Sequence, residues 1–293
     1  MKNERPWLVA LELSPRSSGA LQFARWLRGT LNTRVLGVYV HELWLSGLPP
    51  GEGASIAIAV RNETVRWMTD LDPGKPGSPV DEVKVVEEVA AESGLATAAR
   101  GAPGLVVGRR VASDANMVRL GRVTRRLLRS LPAPVIVVPP ELAVDAFRGP
   151  VVLASDFSDA SVTAARFAAA FAQRLGRPLV CVHVGEPGWD EPIQEHDPRW
   201  ADLRGTWKAT TERAARAWAG AHCPGDELVV EFGDPSARLV AVAARLGACL
   251  LVVGSGRPGL LERIFMGSTA SSVAATASCP VAVVPVDAAI DAL

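Results

Sequence analysis

The sequence repeats itself, and the repeat restricts the fold more than any single motif does. Shifted by 144 positions, Leu8 to Val40 aligns without a gap on Val152 to Val184: Ala10 meets Ala154, Ser14 meets Ser158, Phe23 meets Phe167 and Leu31 meets Leu175. From Gly104 to Pro139 the shift becomes 146, so that Leu105-Val106-Val107-Gly108 meets Leu251-Val252-Val253-Gly254, Gly121 meets Gly267, and Pro134-Val135 meets Pro280-Val281. Two ungapped blocks at nearly one spacing mark a tandem duplication. The seam falls near Asp145 to Pro150 and predicts one domain over residues 1–145 and another over 150–293, each long enough for its own core.

Each copy alternates short apolar runs with stretches of helical periodicity, the pattern of a parallel sheet wrapped by helices. In the first copy the runs are Trp7 to Glu12, Val35 to Val40, Val80 to Val86, Leu105 to Gly108 and Val135 to Val138. In the second they lie near Val151 to Ala154, Leu179 to Val184, Leu228 to Phe232, Leu250 to Val253 and Val281 to Val284. Near-continuous apolar runs suit strands covered on both faces. Ser14-Pro15 reads as the start of a helix, serine capping it and proline in its first turn, and Leu21, Ala24, Leu27 and Leu31 then recur at helical spacing. In an open sheet of this kind a ligand sits beyond the carboxyl ends of the strands, where the strand order reverses. The first and fourth strands should flank that crevice.

One stretch of the second copy carries a chemical signal. After the strand Leu250 to Val253 comes Gly254-Ser255-Gly256-Arg257-Pro258-Gly259, and Gly267-Ser268 then opens an alanine-rich helix. Backbone N–H groups at a glycine turn and at a helix N-terminus point outward together and favour an anion such as phosphate. The letters also spell Gly-x-Gly-x-x-Gly, but the dinucleotide fingerprint belongs to the first strand of its unit, with an acid about 20 residues on. Here the strand is the fourth, and the only acid between Ser255 and Val286 is Glu262.

Other features carry less. The four cysteines, Cys181, Cys223, Cys249 and Cys279, form no CxxC pair and read as reduced core thiols. Four scattered histidines make no metal or catalytic set, and His183, inside a strand, reads as structural. Seven arginines between Arg109 and Arg129 read as a solvated, ion-paired helix face, because no aromatic interleaving or nucleic-acid motif accompanies them. Ser158 and Asp159 read as a helix cap and first turn, not as a nucleophile with its acid. The net charge is zero and no apolar run approaches the ~18 residues of a membrane span. The expectation is a cytoplasmic protein with neither membrane nor nucleic-acid partners.

The repeat, the glycine loop and the closing Cys279-Pro280-Val281-Ala282-Val283-Val284-Pro285 together resemble a tandem universal stress protein, and the resemblance covers both copies almost fully. It implies an α/β fold: two tandem Rossmann-like (adenine nucleotide alpha hydrolase-like) domains, each a five-stranded parallel sheet with helices on both faces. It implies that the fifth strands, Val135–Val138 and Val281–Val284, pair inside one molecule, and a homodimer is compatible with that arrangement. It also implies adenine-nucleotide binding in members that carry Gly-x2-Gly-x9-Gly-Ser/Thr after the fourth strand.

Carried over by position, Ala154, Ser155 and Asp156 close the first strand of the second copy, with Asp156 at the family's acidic position near adenosine. Val184 matches a position whose backbone meets adenine. Gly254, Gly267 and Ser268 match the first glycine and the final Gly-Ser pair of the loop, and Thr269 follows. Arg257 stands where the second glycine should be, with Gly256 one position earlier as a substitute turn and the guanidinium as a phosphate clamp. The first copy departs further, with Glu12 for the aspartate, Val111 for the second glycine and Arg122 for the serine.

The resemblance therefore implies a stress-response and signalling protein that binds ATP, with Mg2+ on its phosphates, in the second copy. It is not expected to be an enzyme. The alternative is a nucleotide-free tandem scaffold for protein contacts. An ATP pyrophosphatase or adenylyltransferase would resemble an SGG-type loop or an HxGH signature, and the chain has neither.

Overall fold

The computed structural model describes residues 5–12, 18–42, 52–114, 117–142, 146–186, 200–223, 227–255 and 268–290. The chain divides into two compact units, Met1–Leu142 and Ala143–Asp291. The first holds β1 (Trp7–Leu11), α1 (Ser18–Leu31), β2 (Val35–Glu42), α2 (Glu52–Asp70), β3 (Glu82–Glu88), α3 (Ala91–Ala99), β4 (Leu105–Gly108), β5 (Val111–Asp114), β6 (Met117–Leu120), α4 (Arg122–Ser130) and β7 (Val135–Val138). The second holds β8 (Val151–Ser155), α5 (Asp159–Leu175), β9 (Leu179–Gly185), α6 (Ala201–His222), β10 (Glu227–Phe232), α7 (Pro235–Arg245), β11 (Leu250–Ser255), α8 (Ser268–Thr276) and β12 (Val281–Pro285).

Taken one at a time, the two sheets have one topology. The first runs β3-β2-β1-β4-β7 and the second β10-β9-β8-β11-β12, and every neighbouring pair is parallel. The order reverses between β1 and β4 in one unit and between β8 and β11 in the other, which puts each crevice where the duplication predicts it.

Every residue of β7, β8 and β12 is buried. The outer strand β3 is mostly exposed, and its sequence alternates charge with valine. It lies two residues later than the apolar run predicts. Val80 is fully buried but precedes the ladder, and Asp81 holds the start of β2 by donating its N–H to Val35 O (2.8 Å) and accepting on its carboxylate from Val35 N–H (2.8 Å) and from Arg28 Nε (2.9 Å).

Burial pushes the Asp81 carboxyl up, but the bonds from Arg28 and Val35 and the charges of Arg28 and Arg34 outweigh it and hold the pKa below its ordinary value. A carboxyl depressed in the folded state adds stability above the unfolded pKa of ~3.9 and loses it as pH falls through the folded value. Urea melts at successive pH values should show that loss in the parent chain, and Asp81→Asn should remove this component of the slope.

Helix α5 shows why the first helix of each copy is placed so firmly. Ser158 caps it by accepting from Ser161 N–H (3.3 Å), Asp159 sits in its positive first turn, and Gly176 ends it in the left-handed conformation at φ 59°. Ala160, Ala164, Phe167, Ala168 and Phe171 form its buried stripe. In α1, Ala20, Phe23, Ala24 and Leu27 do the same. Each of these helices is also tied to the end of its unit's last strand: Ser18 Oγ donates to Pro140 O (2.8 Å), and Thr163 Oγ1 to Val286 O (2.9 Å). The Ser14-Pro15 start predicted for α1 lies outside the described residues. All four cysteines are buried.

Candidate functional site

The carboxyl edge of the second sheet gathers the sequence-predicted residues from three neighbouring strands. Val253 pairs with Ala154, and Ser155 with His183, so the ends of β11, β8 and β9 lie side by side. Gly254 follows on β11, Val184 on β9 and Asp156 directly after β8. Gly233 N–H bonds to Gly185 O (3.0 Å), so the Gly185 carbonyl faces β10, and the alternating Val184 turns its backbone groups toward β8. There β8 has ended. The next amide able to continue the ladder, Phe157 N–H, is given to Ser155 Oγ (3.2 Å). The Val184 carbonyl thus points at the gap.

Asp156 is held by its own turn. Its Oδ1 accepts from Ser158 N–H (3.0 Å), Ser158 Oγ (2.5 Å) and Ser161 Oγ (2.6 Å), while its N–H donates to Ser161 Oγ (3.1 Å). Partial burial pushes the carboxyl up, but the hydrogen bonds from Ser158 and Ser161 win and keep its pKa below the ordinary value. Asp156 is therefore an anion at neutral pH, fixed in direction, at an exposed position. Ser161 was not singled out from sequence, although Ser158-x-x-Ser161 has the spacing of a capping pair.

Gly254 has a packing reason to be glycine. A Cβ there would stand 2.6 Å from the Ala160 carbonyl carbon and oxygen and 2.9 Å from Ser161 N, all backbone atoms of the first turn of α5. The fourth strand and the Asp156 turn are in this way pressed together. Helix α8 begins at Ser268, and Thr269 behind it is half-buried. Gly256, Arg257 and Gly267 lie outside the described residues.

The first unit builds the same edge differently. Where the loop pattern calls for its second glycine, Val111 opens the antiparallel hairpin β5–β6, with Val111 opposite Leu120 and Asp114 opposite Met117. Nothing in the residue pattern signals this hairpin. It directs backbone amides to the facing strand, and Gly121 N–H donates to Arg110 O (2.7 Å). At the serine position, Arg122 reaches to Glu42 at the end of β2 (3.3 Å), and Glu42 also accepts from Ala91 N–H (3.0 Å). Beside it Arg126 pairs with buried Glu92. Burial pushes Glu92 up, and the Arg126 bond and charge bring it below its ordinary value. An ion pair joins the start of α4 to the end of β2, and the arginine run is in part the ion-paired face expected.

Both copies match one family profile, universal stress protein, at residues 5–139 and 148–285. The chain belongs to the universal stress protein family. A universal stress protein of Mycolicibacterium smegmatis is 33% identical over 287 residues, covering 94% of this chain and 96% of the relative. The universal stress protein of the QAH/OAS sulfhydrylase 3′ region of Thermus aquaticus is 30% identical over 142 residues, 46% of this chain and 96% of its own length. Among solved structures, a universal stress protein of Archaeoglobus fulgidus superposes with a TM-score of 0.66 at 20% identity, over 97% of this chain and 99% of its own, a likeness of fold. The family thus enters this chain as two tandem domains. Among the described residues no helix is long and apolar enough to cross a membrane.

Proposed function

We propose that this universal stress protein binds ATP or another adenine nucleotide through its second domain and acts as a cytoplasmic stress-response and signalling protein through shape and partners, without dedicated catalysis. The observation that carries the reading is the Asp156 turn: a carboxylate fixed by Ser158 and Ser161 directly after β8, the strand at which the order reverses, with Val184 ending the neighbouring β9. Asp156 would take the ribose hydroxyls and Val184 the base. Gly256, Gly267 and Ser268 would meet the phosphates, Ala154, Ser155 and Thr269 would line them, and Arg257 would clamp from the side. Mg2+ would be held by phosphate oxygens and water. In the first domain, the hairpin and the Arg122–Glu42 pair argue against a second site.

The same reading pairs β7 with β12 inside one chain, since each is the terminal strand of its own sheet and an apolar edge needs cover. Nucleic acid and membrane have no part in it, and a homodimer remains compatible with it. Slow hydrolysis of ATP is compatible with it too, although among the described residues no group near the site stands out as a general base.

The test is to denature freshly purified protein and identify released nucleotide by mass spectrometry, then titrate the emptied protein with ATP. Nucleotide should be released, and Asp156→Ala should weaken binding at least about tenfold, the loss of one charged contact. A specific observation favours the alternative of a nucleotide-free scaffold: Gly254 is already explained by its contact with Ala160. That reading predicts an empty protein with no heat of ATP binding, restored by Arg257→Gly.

A further inference from the structure

We infer that His183 is a positioning residue for Asp156, gripping the residues on either side of it so that its carboxylate keeps one direction. The inference rests on the reading of Asp156 as a nucleotide contact.

The argument begins with Phe157. Its φ is 69°, in the left-handed region that disfavours any residue with a Cβ, and it is neither glycine nor asparagine. Such a conformation lasts only where the surroundings over-determine it. Here the surroundings are the His183 ring, stacked on the Phe157 ring with centroids 4.1 Å apart and planes 18° apart, and Trp218 of α6, tilted at 6.1 Å. The left-handed turn sends the Phe157 ring onto His183 while Asp156 before it and Ser158 after it stay exposed, where Ser158 caps α5.

His183 holds the other side as well. Its Nδ1 lies 2.8 Å from Ser155 O, and because a carbonyl only accepts, Nδ1 carries the proton and donates. The side chain is 9% exposed, which leaves water little access to replace that bond. One imidazole therefore fixes the carbonyl before Asp156 and the ring after it. Ser155 Oγ and Ser161 Oγ complete the frame through Phe157 N–H and Asp156 N–H. The first domain lacks the device: Tyr39 stands at the position of His183 and Glu12 at that of Asp156.

The test is an NMR titration of the Asp156 side-chain carboxyl carbon in the full-length protein, beside ATP affinity and melting temperature. His183→Asn keeps a donor where Nδ1 stands but removes the ring; His183→Phe keeps a ring and removes the donor. Val182→Ala, next to it on β9 and fully buried, is the control for plain loss of stability. In both His183 variants Asp156 should titrate at a higher pH than in the parent, nearer the ordinary carboxylate range, and ATP should bind about tenfold more weakly. Val182→Ala should lower the melting temperature and leave the Asp156 titration in place. If His183→Asn does not fold, His183→Phe gives the same readout. An unchanged Asp156 titration in a folded His183 variant, or an equal change in Val182→Ala, overturns the inference. A parent protein that binds no ATP would refute the nucleotide reading alone, and the titration would still decide the role of His183.

Discussion

Phe167→Ala should destabilise the second domain by ~3–5 kcal/mol and abolish ATP binding, whereas Phe23→Ala should cost the first domain about as much and leave binding intact. The two phenylalanines occupy equivalent positions in the duplicated sequence, each is 0% exposed, and each sits in the first helix of its unit. Their surroundings differ in detail. Phe167 stacks on Phe171 at 5.7 Å with planes 13° apart, and Phe23 meets Trp26 at 5.3 Å and 51°. Removing either ring takes away its transfer free energy and leaves a cavity between helix and sheet. A chain with two cores need not unfold in one step, so the losses are best read from fluorescence and amide exchange assigned to each domain. Equal loss of ATP binding in both variants would contradict a site confined to the second domain.

Gly254→Ala should cost about 3 kcal/mol and also remove nucleotide binding. The added methyl would meet backbone at 2.6 Å, and backbone cannot rotate aside as a side chain does. Either β11 or the first turn of α5 must move, and that turn contains Ser158 and Ser161, which hold Asp156. Asp156→Ala, by contrast, should cost only about 1 kcal/mol through the weakened cap while still losing affinity. Thermal melts paired with ATP titration separate the two. A Gly254→Ala protein as stable as the parent would mean that the strand and the helix are not in this close contact.

How much of this was legible in the sequence depended on what each residue faces. The central strands could be read because they are covered on both faces and so are written as unbroken apolar runs. The outer strand β3 was misplaced by two residues because Val80 is buried without belonging to the ladder, and burial is what an apolar run reports. The hairpin β5–β6 left no trace, since two four-residue strands spaced by two residues carry neither an Asn-Gly turn nor a counterpart expected from the repeat.

At the candidate site, Gly254 is legible from the glycine loop and Asp156 and Val184 through the family resemblance, and strand register brings their positions to one edge. The role of Gly254 against Ala160 was not legible, because a close approach between distant segments has no local signature. Phe157 was invisible for the opposite reason: a left-handed turn is read from glycine or asparagine, and here stacking on His183 holds a phenylalanine in it.

The most direct measurement is isothermal titration of the nucleotide-free full-length protein with ATP in the presence of Mg2+, read for stoichiometry. One nucleotide per chain, bound at least about tenfold more weakly by Asp156→Ala and as tightly by Glu12→Ala, is the predicted result. Two per chain, or none, would contradict the account.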